Sequence, residues 1–130
     1  MIVSSDIANI LYRDCKAFGI QIVPDGETLT GEITAERIVI HAKSQQPGRI
    51  WKKGFVEVNL CVPDLGVNSA NSIRLGQLER QAQSLLDDII GSYDGTHYYY
   101  GIAKIGREQD ANLKCHYVNV RILFEILNVK

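Results

Sequence analysis

Two short segments with the same polar and apolar pattern stand out along the chain. VNLCV at 58–62 and VNVRI at 118–122 each place apolar side chains at every second position. Because successive side chains of a β-strand point to opposite faces, this alternation predicts two strands with one apolar and one polar face. We therefore predict a one-faced sheet whose polar side is left uncovered by this chain. That side would carry Glu57, Asn59, Asn119, Arg121 and Glu125.

Two amphipathic helices are predicted beside these strands. Residues 5–18 repeat apolar side chains at helical spacing, and Gly19 stands where a glycine commonly ends a helix. Ser69 and Asn71 are both suitable N-caps for a second helix. This second helix is predicted to run for about five turns and to end at Gly91. Its apolar stripe is formed by Leu75, Leu78, Ala82, Leu85, Leu86 and Ile89.

Turn signals and β-branched residues place the elements between the two helices. Pro-Asp-Gly at 24–26 predicts a turn, whereas 27–31 stays open between strand and loop. A strand is predicted at 36–42 and another at 55–62. The stretch 43–53 between them is polar and contains Pro and Gly, which predicts an exposed loop.

The last part of the chain predicts a β-hairpin. Residues 96–105 are rich in aromatic and β-branched side chains, residues 116–126 alternate throughout, and a short polar loop at 106–112 separates them. Hairpin pairing makes most of the sheet antiparallel. Together the elements predict a single α+β domain over 1–130. Its mostly antiparallel sheet would have about four to five strands, with two helices packed on one face.

Composition and charge narrow the functional classes. The chain has 130 residues, of which 45% are hydrophobic and 22% charged, and these values exclude disordered and fibrous proteins. A net charge of -1 provides no overall field that would draw the chain to nucleic acid or anionic lipid. No apolar run reaches the ~18 residues of a membrane span, and the first residues do not resemble a secretion signal.

Candidate catalytic and metal-binding residues do not form a recognisable motif. The cysteines are odd in number and widely spaced, which predicts buried free thiols and a reducing compartment. Neither they nor the histidines recur at metal-ligand spacing, and no glycine-rich phosphate loop is present. We therefore predict no cofactor, no metal site and no enzymatic activity. The residues considered are Cys15, Cys61, Cys115, His41, His97 and His116.

One local basic patch lies in the loop predicted at 43–53. Arg49, Trp51, Lys52 and Lys53 combine positive charge with an aromatic ring, a combination that can bind phosphate and stack on a base. Trp51 is equally suited to anchor the loop on the edge of the core. Tryptophan and arginine are also enriched at the centres of protein interfaces. We expect these four residues to take part in interactions.

The order of elements and two stretches of sequence resemble small prophage-encoded tail proteins. The stretches are WKKGFVEVNLCVPD at 51–64 and residues 118–128. The family that they resemble is that of the tail terminator, or tail completion, proteins of long-tailed bacteriophages. The likeness covers most of the chain in architecture, and this family has no catalytic signature to match.

The resemblance implies a structural virion protein that acts by assembly. It implies helices on one face of a mostly antiparallel sheet, and a homo-oligomeric ring at the head-proximal end of the tail. That ring would cap the tail tube and receive the head connector, in the host cytoplasm during assembly and then in the virion. Asn59, Asn119 and Arg121 on the polar sheet face are the expected contact residues. A small nucleic-acid-binding module and an enzyme of unrecognised type remain the alternatives.

Overall fold

The structure, a computed structural model, describes residues 2–46 and 51–127 as two helices and a five-stranded sheet. The strand order is β1-β2-β5-β4-β3, and every neighbouring pair is antiparallel. The predicted α+β class is confirmed. None of the helices in the described residues is long and apolar enough to cross a membrane. The elements are α1 (Ser4–Cys15) with a short 3-10 helix (Lys16–Phe18), β1 (Arg37–Gln46), β2 (Trp51–Pro63), α2 (Ser72–Leu85), β3 (Ile89–Tyr93), β4 (Thr96–Asp110) and β5 (Cys115–Leu127).

The two segments with matching patterns are direct partners at the centre of the sheet. Val58 pairs with Val120, and Asn59 pairs with Asn119. Matching residues therefore share a face, and the apolar ones point towards the helices. Both helices pack on this one face and close a single large core. Its strand residues include Val56, Val58, Leu60, Val62, Val118, Val120, Ile122 and Phe124.

Helix α1 and the short 3-10 helix that follows it together span the helix predicted at 5–18. The backbone N–H of Val3 donates to the Asp6 carboxylate at 2.9 Å, which closes the first turn. Ile7, Ile10 and Leu11 are buried against the sheet. Gly19 then adopts a φ of +70°, a left-handed conformation that glycine accepts without steric cost.

Helix α2 is shorter than predicted. Asn71 is its N-cap, with a side chain that accepts from the N–H of Arg74 at 3.3 Å. The helix ends at Leu85 rather than at Gly91. Asp88 takes a φ of +56°, and the chain then forms β3, which pairs with the start of β4. The prediction was wrong here because cross-strand pairing of Ile89 outweighs its place in the helical stripe.

Two predicted loops are largely strand. β1 continues to Gln46 and β2 already begins at Trp51, so only 47–50 lie between them, outside the described residues. β4 continues to Asp110, and the turn before β5 is confined to 111–114. Polar composition misled both predictions, because long hairpin strands keep their backbone pairing even where both faces are solvated. The turn at 24–26 is confirmed, with the N–H of Glu27 donating to the carbonyl of Pro24 at 3.0 Å.

Candidate functional site: the open face of the sheet

The side of the sheet that faces away from the helices carries mainly polar and charged side chains, with Phe55 and Leu123 between them. No helix or strand within residues 2–46 and 51–127 packs on its central part. Register places these side chains in rows that cross the strands. In one row Asn59 lies beside Asn119, and in the next His41, Glu57, Arg121 and Lys104 follow one another. We call this band the open face, and its members are His41, Lys43, Phe55, Glu57, Asn59, Lys104, Asn119, Arg121 and Glu125.

An amide pair occupies the centre of the open face. Asn119 Nδ2 donates to Asn59 Oδ1 at 2.7 Å and to Glu57 Oε1 at 3.3 Å. All three side chains are half-buried. Cross-strand polar pairs of this kind stabilise a sheet modestly, by about 0.2 to 1 kcal/mol. The open face is therefore ordered by its own hydrogen bonds.

Glu57 connects this pair to the positive charges around it. Its Oε2 lies 3.2 Å from Nζ of Lys43. Partial burial raises the pKa of Glu57, but the hydrogen bonds from Lys43 and Asn119, together with the charges of Lys43 and Arg121, lower it more. The net pKa lies below its ordinary value. This carboxylate is held ionised and is unsuited to be a general acid near neutral pH.

Arg121 is the most exposed group at the centre of the open face. Its guanidinium carbon lies 4.1 Å from the ring centroid of Phe55, a cation–π contact. None of the ion pairs among the described residues involves Arg121. Its charge is thus positioned by an aromatic ring and remains available for a partner carboxylate.

One end of the open face is covered by the chain, against expectation. Ile33, from the irregular segment before β1, packs on Cys61 and Cys115, and its N–H donates to the carbonyl of Leu113 at 3.1 Å. The prediction of an uncovered face is therefore wrong at this end and holds in the middle. Leu29 and Ile33 are isolated apolar residues in a polar stretch, and they were the sequence signal that this segment packs on the sheet. Burial of such apolar side chains against another apolar surface is favourable.

The predicted basic patch is not an exposed loop. Lys52 and Lys53 are consecutive strand residues and point to opposite faces. Nζ of Lys52 donates to the carbonyl of Ile2 at 3.0 Å, and Nζ of Lys53 lies 3.6 Å from Glu125 Oε1. Trp51 is the first residue of β2, and Arg49 lies outside the described residues. Both lysines thus have partners in this chain, so the arrangement gives no specific support to nucleic-acid binding.

The histidines are far apart in the sheet. His116 lies on the helix-covered side, where Nδ1 is 2.7 Å from the Asp64 carboxylate. His97 and His41 lie on β4 and β1, and His41 lines a surface depression of about 480 Å³ together with Asp25. No cluster of three His, Cys, Asp or Glu side chains suited to a metal ion occurs within the described part of the chain.

The three cysteines are free and buried, as predicted. Burial raises the pKa of Cys15 to about 12, so this thiol is not a nucleophile near neutral pH. Cys61 and Cys115 lie under Ile33. Their role in the fold is packing.

Comparison with known proteins identifies a shared fold. No protein-family model matches the sequence, and no curated protein matches it either. One solved structure is similar over 100% of this chain and 99% of its own, with a TM-score of 0.61 and 10% sequence identity. At that identity the similarity establishes the fold alone.

Proposed function

We propose that this protein is a structural subunit of the tail of a long-tailed phage or prophage, similar to tail terminator and tail completion proteins. It acts by oligomeric assembly, as a ring at the tail end that meets the tail tube and the head connector. The observation that carries this proposal is the open face, which is polar, internally ordered and left without a covering layer over its centre. No group of side chains described above combines a nucleophile with a base.

The fold supports the proposal. The resemblance at 51–64 and 118–128 implies helices on one face of a mostly antiparallel sheet, and the chain has that architecture. Those same two segments form the paired central strands β2 and β5. The stretches that carry the resemblance are therefore the ones that build the open face.

The order of the open face also suits an assembly contact. Binding costs about 0.5 to 1.5 kcal/mol for each flexible side chain that it immobilises. Asn119, Glu57 and Arg121 are already held by neighbours in the free subunit. Binding of a partner would therefore immobilise fewer freely rotating side chains, and its entropic cost would be smaller.

The size of the open face shows that other surfaces must contribute. Four strands at a spacing of about 4.8 Å, each about eight residues long in this region, outline an area on the order of 500 Å². A stable subunit contact buries about 800 Å² on each partner. The open face thus supplies one part of the contact, and the edges of the sheet or the surface of the helices supply the rest.

The direct test is the mass of the protein in solution, measured by light scattering over rising protein concentration. We expect a mass several times that of the 14.5 kDa chain, alone or after addition of a tail tube protein. A protein that stays monomeric at high concentration and also fails to bind tail tube protein would refute the proposal. A titration with DNA tests the alternative of a nucleic-acid-binding module. Contacts with phosphate groups would give an affinity that falls steeply as the salt concentration rises.

A further inference from the structure

Two arginines without acidic partners converge on the outer side of α2. A Cβ added at Gly76 would lie 3.4 Å from Nη2 of Arg107 and 3.8 Å from Nη1 of Arg80. Both guanidinium groups therefore lie against the same point of the helix. Neither forms an ion pair within the described residues. Two like charges this close repel each other, so the arrangement favours a bound anionic group.

A third arginine, Arg74 on α2, provides the contrast. Arg74 donates to both carboxylate oxygens of Glu36, at 2.6 and 2.9 Å. This bidentate pair ties α2 to the start of β1 and leaves Arg74 neutralised. Arg80 and Arg107 are exposed and have no such carboxylate. Contacts within one subunit therefore do not explain why two positive charges lie at this position.

Large apolar side chains are exposed beside the two arginines. Ile73 on α2 is 79% exposed. It lies on the same side of the helix as Gly76 and Arg80, because residues three or four positions apart are neighbours on a helix surface. Val67 is 95% exposed at the tip of a turn that follows β2. Exposed apolar groups next to fixed charges are typical of protein interfaces.

The turn that carries Val67 is firmly held. The N–H of Leu65 donates to the carbonyl of Ser69 at 2.8 Å, and Gln109 Nε2 donates to Asn68 Oδ1 at 3.1 Å. Arg107, two residues before Gln109 on the same strand face, donates to the carbonyl of Ser72 at 3.5 Å. The turn, β4 and the start of α2 therefore form one continuous surface. We call Val67, Ile73, Arg80 and Arg107 the arginine patch.

The same chain carries a segment of complementary character. Residues 87–94 contain three aspartates and no lysine or arginine. Within them Ile90, on the outermost strand β3, is 80% exposed. Asp88 and Asp94 form no ion pair in the described part of the chain. We call this segment, which combines carboxylates that lack a cationic partner with an exposed apolar side chain, the acidic strand.

We propose that the arginine patch of one subunit binds the acidic strand of the next copy. The patch is centred on the N-terminal half of α2, whereas the acidic strand follows the C-terminal end of that helix. The two surfaces are different and do not overlap, so the contact is head to tail. Contacts of this kind generate closed rings when the rotation between copies closes. This inference rests on the proposed assembly function and names the helix surface and the sheet edge that contribute to the subunit contact beside the open face.

Charge variants test the contact by light scattering on the full chain. The double variant Arg80→Glu/Arg107→Glu should weaken self-association by at least about tenfold, because like charges then face each other across the contact. Asp88→Asn/Asp94→Asn should weaken it less. Asparagine suits these two positions because φ is +56° and +49° there. Lys16→Glu and Asp25→Asn, at exposed residues that belong to neither surface, are the matched controls.

Mixing experiments separate this contact from other effects of charge. Arg80→Glu/Arg107→Glu and Asp88→Lys should each assemble poorly alone, and an equimolar mixture should regain assembly because the charges are exchanged between partners. Thermal unfolding of each variant checks that it is folded. If the wild type assembles and the arginine variant assembles like Lys16→Glu, the arginine patch is not the contact, and the proposed function stands without it. A wild type that never assembles removes both proposals.

Discussion

The two faces of the sheet are built from the same strands but are stabilised in different ways. On the helix-covered face Val58, Val120 and Phe124 are almost completely buried. On the open face Asn59 and Asn119 remain half-exposed and are held by hydrogen bonds. Burial of a large apolar side chain contributes about 1.5 to 3 kcal/mol, whereas a hydrogen bond contributes about 0.5 to 1.5 kcal/mol. The first face therefore contributes most of the stability of the fold, and the second is left for the contacts that we propose.

The largest expected effect comes from the aromatic layer of the helix-covered face. The ring of Phe124 stacks with those of Tyr98 and Tyr100, at centroid distances of 5.1 and 5.5 Å. Phe124→Ala should lower the free energy of unfolding by about 3 to 5 kcal/mol, measured by urea denaturation. Phe55→Ala on the open face is the matched control and should cost clearly less. Equal losses would mean that the two faces do not differ as described.

A smaller effect is expected where the open face is covered. Ile33→Ala should cost about 2 kcal/mol, because the small cluster over Cys61 and Cys115 can relax into part of the space. The same substitution should speed the reaction of these two thiols with a thiol reagent in the native state. Unchanged thiol reactivity would show that the segment before β1 does not protect them.

The smallest effect concerns the loss of folding stability at acidic pH. Because the pKa of Glu57 is lowered in the folded protein, its contribution is present above the ordinary carboxyl pKa of 4.5 and is lost as pH falls through the folded value. Glu57→Gln should therefore lower stability slightly at pH 7, lower it less near pH 3, and make stability less dependent on pH below about 5. Thermal unfolding from pH 3 to 7 measures this. An unchanged pH dependence would contradict the assigned contacts with Lys43 and Asn119.

Most of the fold follows from periodicity in the sequence. The alternation at 116–126 and the helical spacing at 5–18 are long enough to decide between strand and helix, and both elements form as predicted. The segment 89–93 is different, because Ile89 continues the apolar stripe of α2 and its local pattern favours helix. Its pairing with β4 depends on residues that only the folded chain brings together.

The candidate site is predictable in part for the same reason. Asn59, Asn119 and Arg121 were predicted to share a face because strand parity alone determines which side a residue takes. Their hydrogen bonds depend on register between β2 and β5, which a single sequence does not encode locally. Arg80 and Arg107 lie on different elements, and their meeting over Gly76 had no signal in the sequence.

Arg121 offers the most direct test of the central claim, which is that the open face serves assembly and not folding. Arg121→Glu should leave the protein folded and lower the free energy of unfolding by only about 1 kcal/mol, because the exposed side chain loses its contact with Phe55 and places a like charge opposite Glu57. Its assembly should be impaired relative to Lys16→Glu when the two variants are compared by light scattering with tail tube protein present. Unimpaired assembly of a folded Arg121→Glu protein would contradict the account and show that the open face is only solvated.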